Sequence, residues 1–208
     1  SLLGALLLTS IVTAVAPRVW RIANAHEELP VELPDFAELA ARSYVYDAQG
    51  NEIAKYEVEN SQPIALGDVP QHVIDAFLAV EDREFYVHHG VNVRSLLRAT
   101  LSNFASEGPV QGASTITMQV VKNDYMAGFE RDGRYKLLQV TYAVRLEKHK
   151  TKDEILERYL NTVFFGQNSY GIAAAAETFF GKRVADMTFI EAAFLAGLVQ
   201  APSSYDPI

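Results

Sequence analysis

The sequence predicts a mainly α-helical domain with a small β-hairpin on its N-terminal side, preceded by a membrane helix. Three observations carry that prediction. From Pro70 onward the apolar residues recur at helical spacing. Before it, two short runs rich in aromatic and β-branched residues flank a turn. At the very start, Ser1 to Ala16 is apolar apart from Ser1, Thr9, Ser10 and Thr13. With 208 residues, 49% hydrophobic and 21% charged, the chain can bury one well-packed core, and no repeat or low-complexity tract divides it.

The apolar start is short for a bilayer span, yet it opens without a methionine and runs into Pro17-Arg18 and Trp20. A membrane helix truncated at its start (1–22), with Arg18 and Trp20 as interface anchors, is therefore expected. A signal-peptide core is the alternative, but no A-x-A site followed by a mature start is present. Residues 23–42, acidic and broken by Pro30 and Pro34, read as a stalk. Residues 43–208 read as the domain proper.

Within it, Tyr44-Val45-Tyr46, the turn Asp47 to Asn51, and Ile53 to Val58 predict a strand, a turn and a strand. A helix then starts after Asp68 with Pro70 in its first turn, its stripe marked by Ile74, Leu78 and Glu81. Leu96, Leu97, Thr100, Leu101 and Phe104 form the face of a second helix, stopped by Glu107-Gly108-Pro109. Thr151-x-x-Glu154 and Thr188-x-x-Glu191 are capping boxes that fix two further helix starts. Lys148-His149-Lys150 stands where the preceding helix should end, which suits its dipole.

The formal net charge is −8, which argues against a general nucleic-acid binder. The charge is uneven: Glu27 to Asp75 holds eleven acidic and two basic residues, whereas Arg131 to Arg158 holds eight basic and five acidic ones. A basic segment in an acidic chain points to an anionic ligand or lipid headgroups, with a solvated helix face as the plainer reading. With no cysteine there is neither a disulfide nor thiolate chemistry.

The stretch Ala79 to Gly90, AVEDREFYVHHG, is the strongest candidate for chemistry. Glu81 continues the inward stripe, and a carboxylate on such a face loses hydration, which raises its pKa towards the range of a general base or acid. Asp82, about 100° further round an ideal helix, should face elsewhere. The plain alternative for Glu81 is a helix-end carboxylate satisfied by a backbone N–H or an arginine. Gly112 to Thr117 reads as a loop-to-helix junction whose N–H groups and hydroxyls could hold an anion or simply cap the helix. His88 and His89 with Glu81 and Asp82 match no zinc spacing, and His88 reads as site architecture.

Five ordered blocks add to this reading: E-D-x-x-F-x-x-H-x-G (Glu81, Asp82, Phe85, His88, Gly90), Q-G-A-S-T-I-T-M-Q from Gln111 with Lys122-Asn123, I-L-E-R-Y-L-N from Ile155, Y-G-I-A-A-A-A-E-T-F-F-G-K from Tyr170, and E-A-A-F-L-A-G-L-V-Q-A-P-S-S-Y-D-P from Glu191. Together, from about Ser43 to the last residue, they resemble the peptidoglycan glycosyltransferase domain, glycosyltransferase family 51, of class A penicillin-binding proteins and monofunctional transglycosylases.

The resemblance implies a lysozyme-like helical fold and polymerisation of lipid II into β-1,4-linked glycan strands, with inversion and release of undecaprenyl diphosphate. It implies that Glu81 deprotonates the acceptor 4-hydroxyl, and that Gln139 stands where the family has a second glutamate. Substrate contacts would come from Asp82, Phe85, His88, Gly112, Ser114, Thr115, Gln119, Lys122, Arg131 and Lys136. Three departures are visible. Met118 replaces a glutamine, and in the R-K-x-x-E block Tyr135 replaces the arginine and Gln139 the glutamate, while Lys136 is kept. Arg134 stands one residue early. Gln139 is expected to face the cleft, on one stripe with Tyr142, Ala143 and Leu146.

No cofactor is required on this reading; a divalent cation, Mg or Mn, at the donor diphosphate is the one addition it leaves open. The implied partners are lipid II, the growing glycan strand, membrane lipid, a C-terminal transpeptidase domain and other cell-wall synthesis proteins, and no nucleic acid. The implied location is the bacterial cytoplasmic membrane, single-pass, with the catalytic domain on the extracytoplasmic face. Two alternatives remain: a catalytically degenerate copy that binds lipid II or partner proteins, and a lysozyme-like lytic enzyme.

Overall fold

The computed structural model describes residues 33–56, 60–96, 114–132 and 134–202. The expected membrane helix (1–22), residues 23–32 of the stalk, the helix face from Leu97 to Phe104 with its stop, and Gly112 lie outside the described residues. Among those described, no helix is long and apolar enough to cross a membrane.

The hairpin forms as expected: β1 (Ser43–Tyr46) pairs antiparallel with β2 (Glu52–Tyr56), with Val45 opposite Ala54. Its turn is organised by Asp47, whose carboxylate accepts from the Gln49 and Asn51 N–H groups and the Asn51 amide, an Asx arrangement.

The helical core begins with α1 (Gln71–Glu81). Pro70 stands just before it, not in its first turn. Its buried face is wider than Ile74 and Leu78 suggested: Val73 and Phe77 are fully buried, and Glu81 follows Phe77 by one turn. Next come α2 (Ile116–Tyr125), α3 (Tyr135–His149) and α4 (Lys152–Thr162), then α5 (Ile172–Phe180) and α6 (Phe189–Leu198). Here α1 packs on α6, and α2 packs on both α3 and α4. Phe77 joins these layers, its ring edge-on to Tyr159 of α4 and to Phe165.

Both capping boxes are present, at Thr151 with Glu154 and at Thr188 with Glu191. Lys148 and His149 fill the last turn of α3. One element escapes the helical period: β3 (Asn60–Ser61) pairs in parallel with β4 (Ser169–Tyr170). Two-residue strands carry no alternation to read; this pair is held by its surroundings, including the Ser169 hydroxyl on Thr178.

The described part of the stalk is bound to the helices. The Tyr125 hydroxyl donates to the Pro34 carbonyl, the Lys150 ammonium pairs with Asp35 at 2.8 Å, and the Arg158 guanidinium donates to the Ala37 carbonyl.

Two glycines differ in what an added side chain would meet. Gly50 and Gly171 both have positive φ, 86° and 82°, but a Cβ on Gly50 would meet open space, whereas one on Gly171 would lie 2.7 Å from the Asn161 carbonyl oxygen. Gly50→Ala should cost about 1–2 kcal/mol from backbone handedness alone. Gly171→Ala should cost a further ~1–3 kcal/mol for overpacking, on a backbone of φ 82° and ψ 158° that only glycine adopts readily. Denaturant unfolding of the two variants checks this, and equal losses would contradict the packing account.

Candidate active site

Helix α1 ends at Glu81. Asp82 leaves the helical path with φ −160° and ψ 80°, so the expected 100° step from Glu81 does not apply. Both carboxylates turn inward, and Asp82 is the more deeply buried, 7% exposed. Asp82 Oδ2 accepts from the Ile116 N–H at 3.0 Å and meets His88 Nε2 at 2.9 Å. Ile116 is the first residue of α2, so this carboxylate lies at a helix N-terminus, where negative charge is favoured. Phe85, 1% exposed, lies edge-on to His88 and carries the Lys152 ammonium 4.4 Å above its ring.

The junction at Thr115 is a helix cap. Its hydroxyl oxygen accepts from the Met118 N–H and donates to the Gly90 carbonyl at 2.7 Å. Gly90, φ 86°, lies so close to α3 that a Cβ would stand 2.6 Å from the Ala143 carbonyl oxygen. The loop 82–90, the start of α2 and the middle of α3 are thereby fastened together behind Glu81.

Glu81 is hydrogen-bonded at one oxygen and unpartnered at the other. Gln119 Nε2 donates to Oε2 at 2.6 Å, while Oε1 is buried without a hydrogen-bond partner among the described residues. Burial, then the neighbouring Asp82 charge, raises the Glu81 pKa, against the lowering effects of the Gln119 hydrogen bond and Lys122. This differs from the plain alternative, since among the described residues neither a backbone N–H nor an arginine satisfies it.

Opposite stands a group of cations. Burial first, and the Arg131 charge second, hold the Lys122 pKa below the ordinary lysine value. Burial and the Lys122 charge do the same for Lys136. Lys136 Nζ donates to Ser114 Oγ at 2.9 Å and to Gln139 Oε1 at 3.0 Å. Arg134, one residue early in the block, is turned to Asp132 at 3.0 Å. Gln139 is 4% exposed and shares the buried face of α3 with Tyr142, Ala143 and Leu146. Its Nε2 donates to the Met118 carbonyl at 2.8 Å.

The described residues do not fit a resident divalent cation here. The Gln139 oxygen is neutral and already accepts from Lys136. Two ammonium groups whose charges oppose one another would also repel a third cation.

Two cavities flank the Glu81–Gln119 contact. One, about 410 Å3, is lined by Glu81, Ser114, Thr115 and Arg94 among others. The other, about 670 Å3, takes in Gln119, Lys122 and Asn123. Of the residues expected at the site, the structure brings Glu81, Asp82, His88, Ser114, Thr115, Gln119, Lys122, Lys136 and Gln139 together. Arg131 is exposed and joins them through its charge on Lys122.

The sequence reading missed Asp124 and Arg158. They form a two-pronged ion pair, 2.7 and 3.2 Å, with both side chains under a tenth exposed, next to Asn123. An arginine on a helix whose neighbours Ile155, Leu156 and Tyr159 are apolar was the available signal.

A raised carboxylate pKa sets a sign for stability. The folded protein holds the Glu81 proton more tightly than the unfolded chain, so ionisation destabilises the fold at pH above the raised value. Glu81→Gln should therefore raise Tm at pH 7–8, and the gain should vanish as pH falls below the ordinary carboxylate value of about 4.3. Thermal scans across that range check it; a variant less stable than wild type at pH 8 would contradict the desolvation account.

The sequence profile of the transglycosylase family matches residues 49–208. Penicillin-binding protein 1F of Bacillus subtilis is 41% identical over 170 residues, 82% of this chain and 24% of that protein. Penicillin-binding protein 1A of Escherichia coli is 41% identical over 182 residues, 85% of this chain and 21% of that protein. Penicillin-binding protein 1A of Haemophilus influenzae is 42% identical over 172 residues, 83% of this chain and 20% of that protein. A crystal structure of the Haemophilus influenzae protein aligns at 29% identity and a TM-score of 0.39, over 82% of this chain and 16% of that one. The chain thus spans between a fifth and a quarter of the length of these relatives. It belongs to the transglycosylase family.

Proposed function

We propose that the domain is a peptidoglycan glycosyltransferase that joins lipid II units into a β-1,4-linked glycan strand. The observation that carries this reading is a desolvated carboxylate, Glu81, with one oxygen unpartnered, beside lysines that lack carboxylate partners. Among the described residues Lys122 makes no ion pair, and Lys136 bonds only the neutral Ser114 and Gln139. Cations that form no ion pair with a carboxylate are suited to an incoming anion, here the donor diphosphate.

In the proposed step the Glu81 carboxylate accepts the proton of the acceptor 4-hydroxyl as the hydroxyl oxygen bonds to the donor anomeric carbon. The bond from that carbon to the diphosphate oxygen breaks, and undecaprenyl diphosphate leaves with both electrons. Attack opposite the leaving group inverts the configuration, so no nucleophilic side chain is needed. Lys122, Arg131 and Lys136 stabilise the negative charge that grows on the leaving group. Ser114 reaches the same place through Lys136, and Gln119 orients the base.

The reading extends to a membrane-bound enzyme acting outside the cytoplasm, and, from the names of its relatives, to a longer protein that also carries a penicillin-binding domain. A lytic enzyme is less well supported. Glu81 alone could serve as the raised acid of such a hydrolase, but Asp82 is committed to His88 and Ile116, and lysines without carboxylate partners would meet no anionic leaving group there.

Glu81→Gln should abolish polymerisation of labelled lipid II by the purified protein, because the amide keeps the shape but cannot take the proton. Near-normal turnover by that variant would remove Glu81 as the base.

The degenerate-copy alternative turns on Gln139. In place of Gln139, an ionised glutamate would set a carboxylate against the Met118 carbonyl, losing a donor and gaining repulsion. Gln139→Glu should thus lower stability by about 1–3 kcal/mol and should not raise activity. A wild type without turnover that Gln139→Glu restores would favour a handicapped enzyme instead.

A further inference from the structure

The segment between the apolar start and the hairpin forms part of the larger cavity's wall. Glu38, Leu39 and Ala40 line it together with Gln119, Lys122 and Asn123. Two residues before Glu38, Phe36 is clamped. Its ring lies 5.2 Å from the Arg158 guanidinium carbon and 5.4 Å from the Lys150 ammonium, and tilts against Tyr125 at 6.3 Å. The carbonyls on either side are tied as well, Pro34 to Tyr125 and Ala37 to Arg158. Beyond the wall, Arg42 anchors the strap again on Glu177 at 2.7 Å.

Arg158 links this clamp to the cavity floor. The same guanidinium that stacks on Phe36 and holds Ala37 grips Asp124, the neighbour of Asn123 and two residues from Lys122. Across the cavity stand the rings of Phe164 and Tyr170, 4.9 Å apart, with the amides of Asn123 and Gln200 nearby. Ring faces with amide and carboxylate side chains suit a saccharide, which offers C–H faces and hydroxyls.

We propose that residues 36–40 are a positioning element for the saccharide part of the substrate, held as a cavity wall by the Phe36 clamp. This rests on the glycosyltransferase reading. A passive tether would need neither a ring held between two cations nor three residues facing the cavity. Removing the clamp should release the wall and weaken saccharide binding, while leaving Glu81 and its partners in place.

The experiment is lipid II polymerisation by the full chain, with KM and kcat measured separately beside Tm. Phe36→Ala should raise KM by up to about five- to thirtyfold, the equivalent of two partly exposed cation–π contacts, with kcat within about twofold. Phe36→Tyr should behave as wild type. Ala40→Trp leaves the clamp intact but adds bulk to the wall, and should raise KM with Tm unchanged. An unchanged KM in both Phe36→Ala and Ala40→Trp would overturn the positioning role. So would a fall in kcat at constant KM, which is what a merely structural tether predicts. Wild-type protein without any turnover would overturn the glycosyltransferase reading and this role with it, whereas active wild type with unresponsive variants overturns this role alone.

Discussion

The Asp82 carboxylate is the contact on which the site depends. It is buried and accepts both the first N–H of α2 and the His88 ring. A charge-assisted hydrogen bond contributes about 1.5–3 kcal/mol, and a buried partner left unsatisfied costs a similar amount. Neither Ile116 nor His88 could therefore move without leaving a buried carboxylate underbonded. That fixes the N-terminus of α2 against the C-terminus of α1. Gln119, one turn along α2, then arrives at Glu81 Oε2 as a geometric consequence. Of two adjacent carboxylates, one is satisfied so that the other can be left open.

The same division runs through the cations. Lysines and arginines with structural roles have carboxylate partners: Arg158 with Asp124, Lys152 with Glu147, Arg42 with Glu177. Among the described residues Lys122 and Lys136 have none, and burial first, with a neighbouring cation second (Arg131 for Lys122, Lys122 for Lys136), lowers their proton affinity. Holding cations together in a partly desolvated place costs stability in the absence of a counter-ion, and an arriving diphosphate would relieve it. Conflicts with ordinary folding rules concentrated at one place are what a functional site produces.

Much of this was legible in the residues. Both capping boxes, the end of α3 at the basic cluster, the hairpin turn at Asp47 and the inward direction of Glu81 follow from local chemistry, and local chemistry is what a sequence displays. The burial of Asp82 was not legible, because it depends on where α1 stops: past Glu81 the backbone leaves the helix, and helical rotation no longer says where a side chain points. The β3–β4 pair was also hidden, since each strand has two residues and they lie more than a hundred positions apart. The role of residues 33–40 was masked by composition. Prolines and acidic residues read as a tether, whereas what binds the segment is the Phe36 ring, the Pro34 and Ala37 carbonyls and the Asp35–Lys150 ion pair, whose partners on the helices composition does not reveal.

The departures at Met118 and Gln139 become a connected set when placed in space. Gln139 spans α3 to α2 through its two ends: its amide nitrogen satisfies the Met118 carbonyl and its oxygen receives Lys136. A glutamate could make the second contact but not the first. Met118, where the resemblance leads one to expect another glutamine, is fully buried among the apolar residues of the core. A second amide there would need partners of its own in a place that offers mainly carbon. Gln139 and Met118 thus meet across one helix interface, the first supplying a donor that a glutamate lacks, the second removing a polar side chain that the interface could not satisfy. Read this way, the loss of the carboxylate leaves Lys136 directed but not neutralised, with more of its charge available to an anion in the cleft.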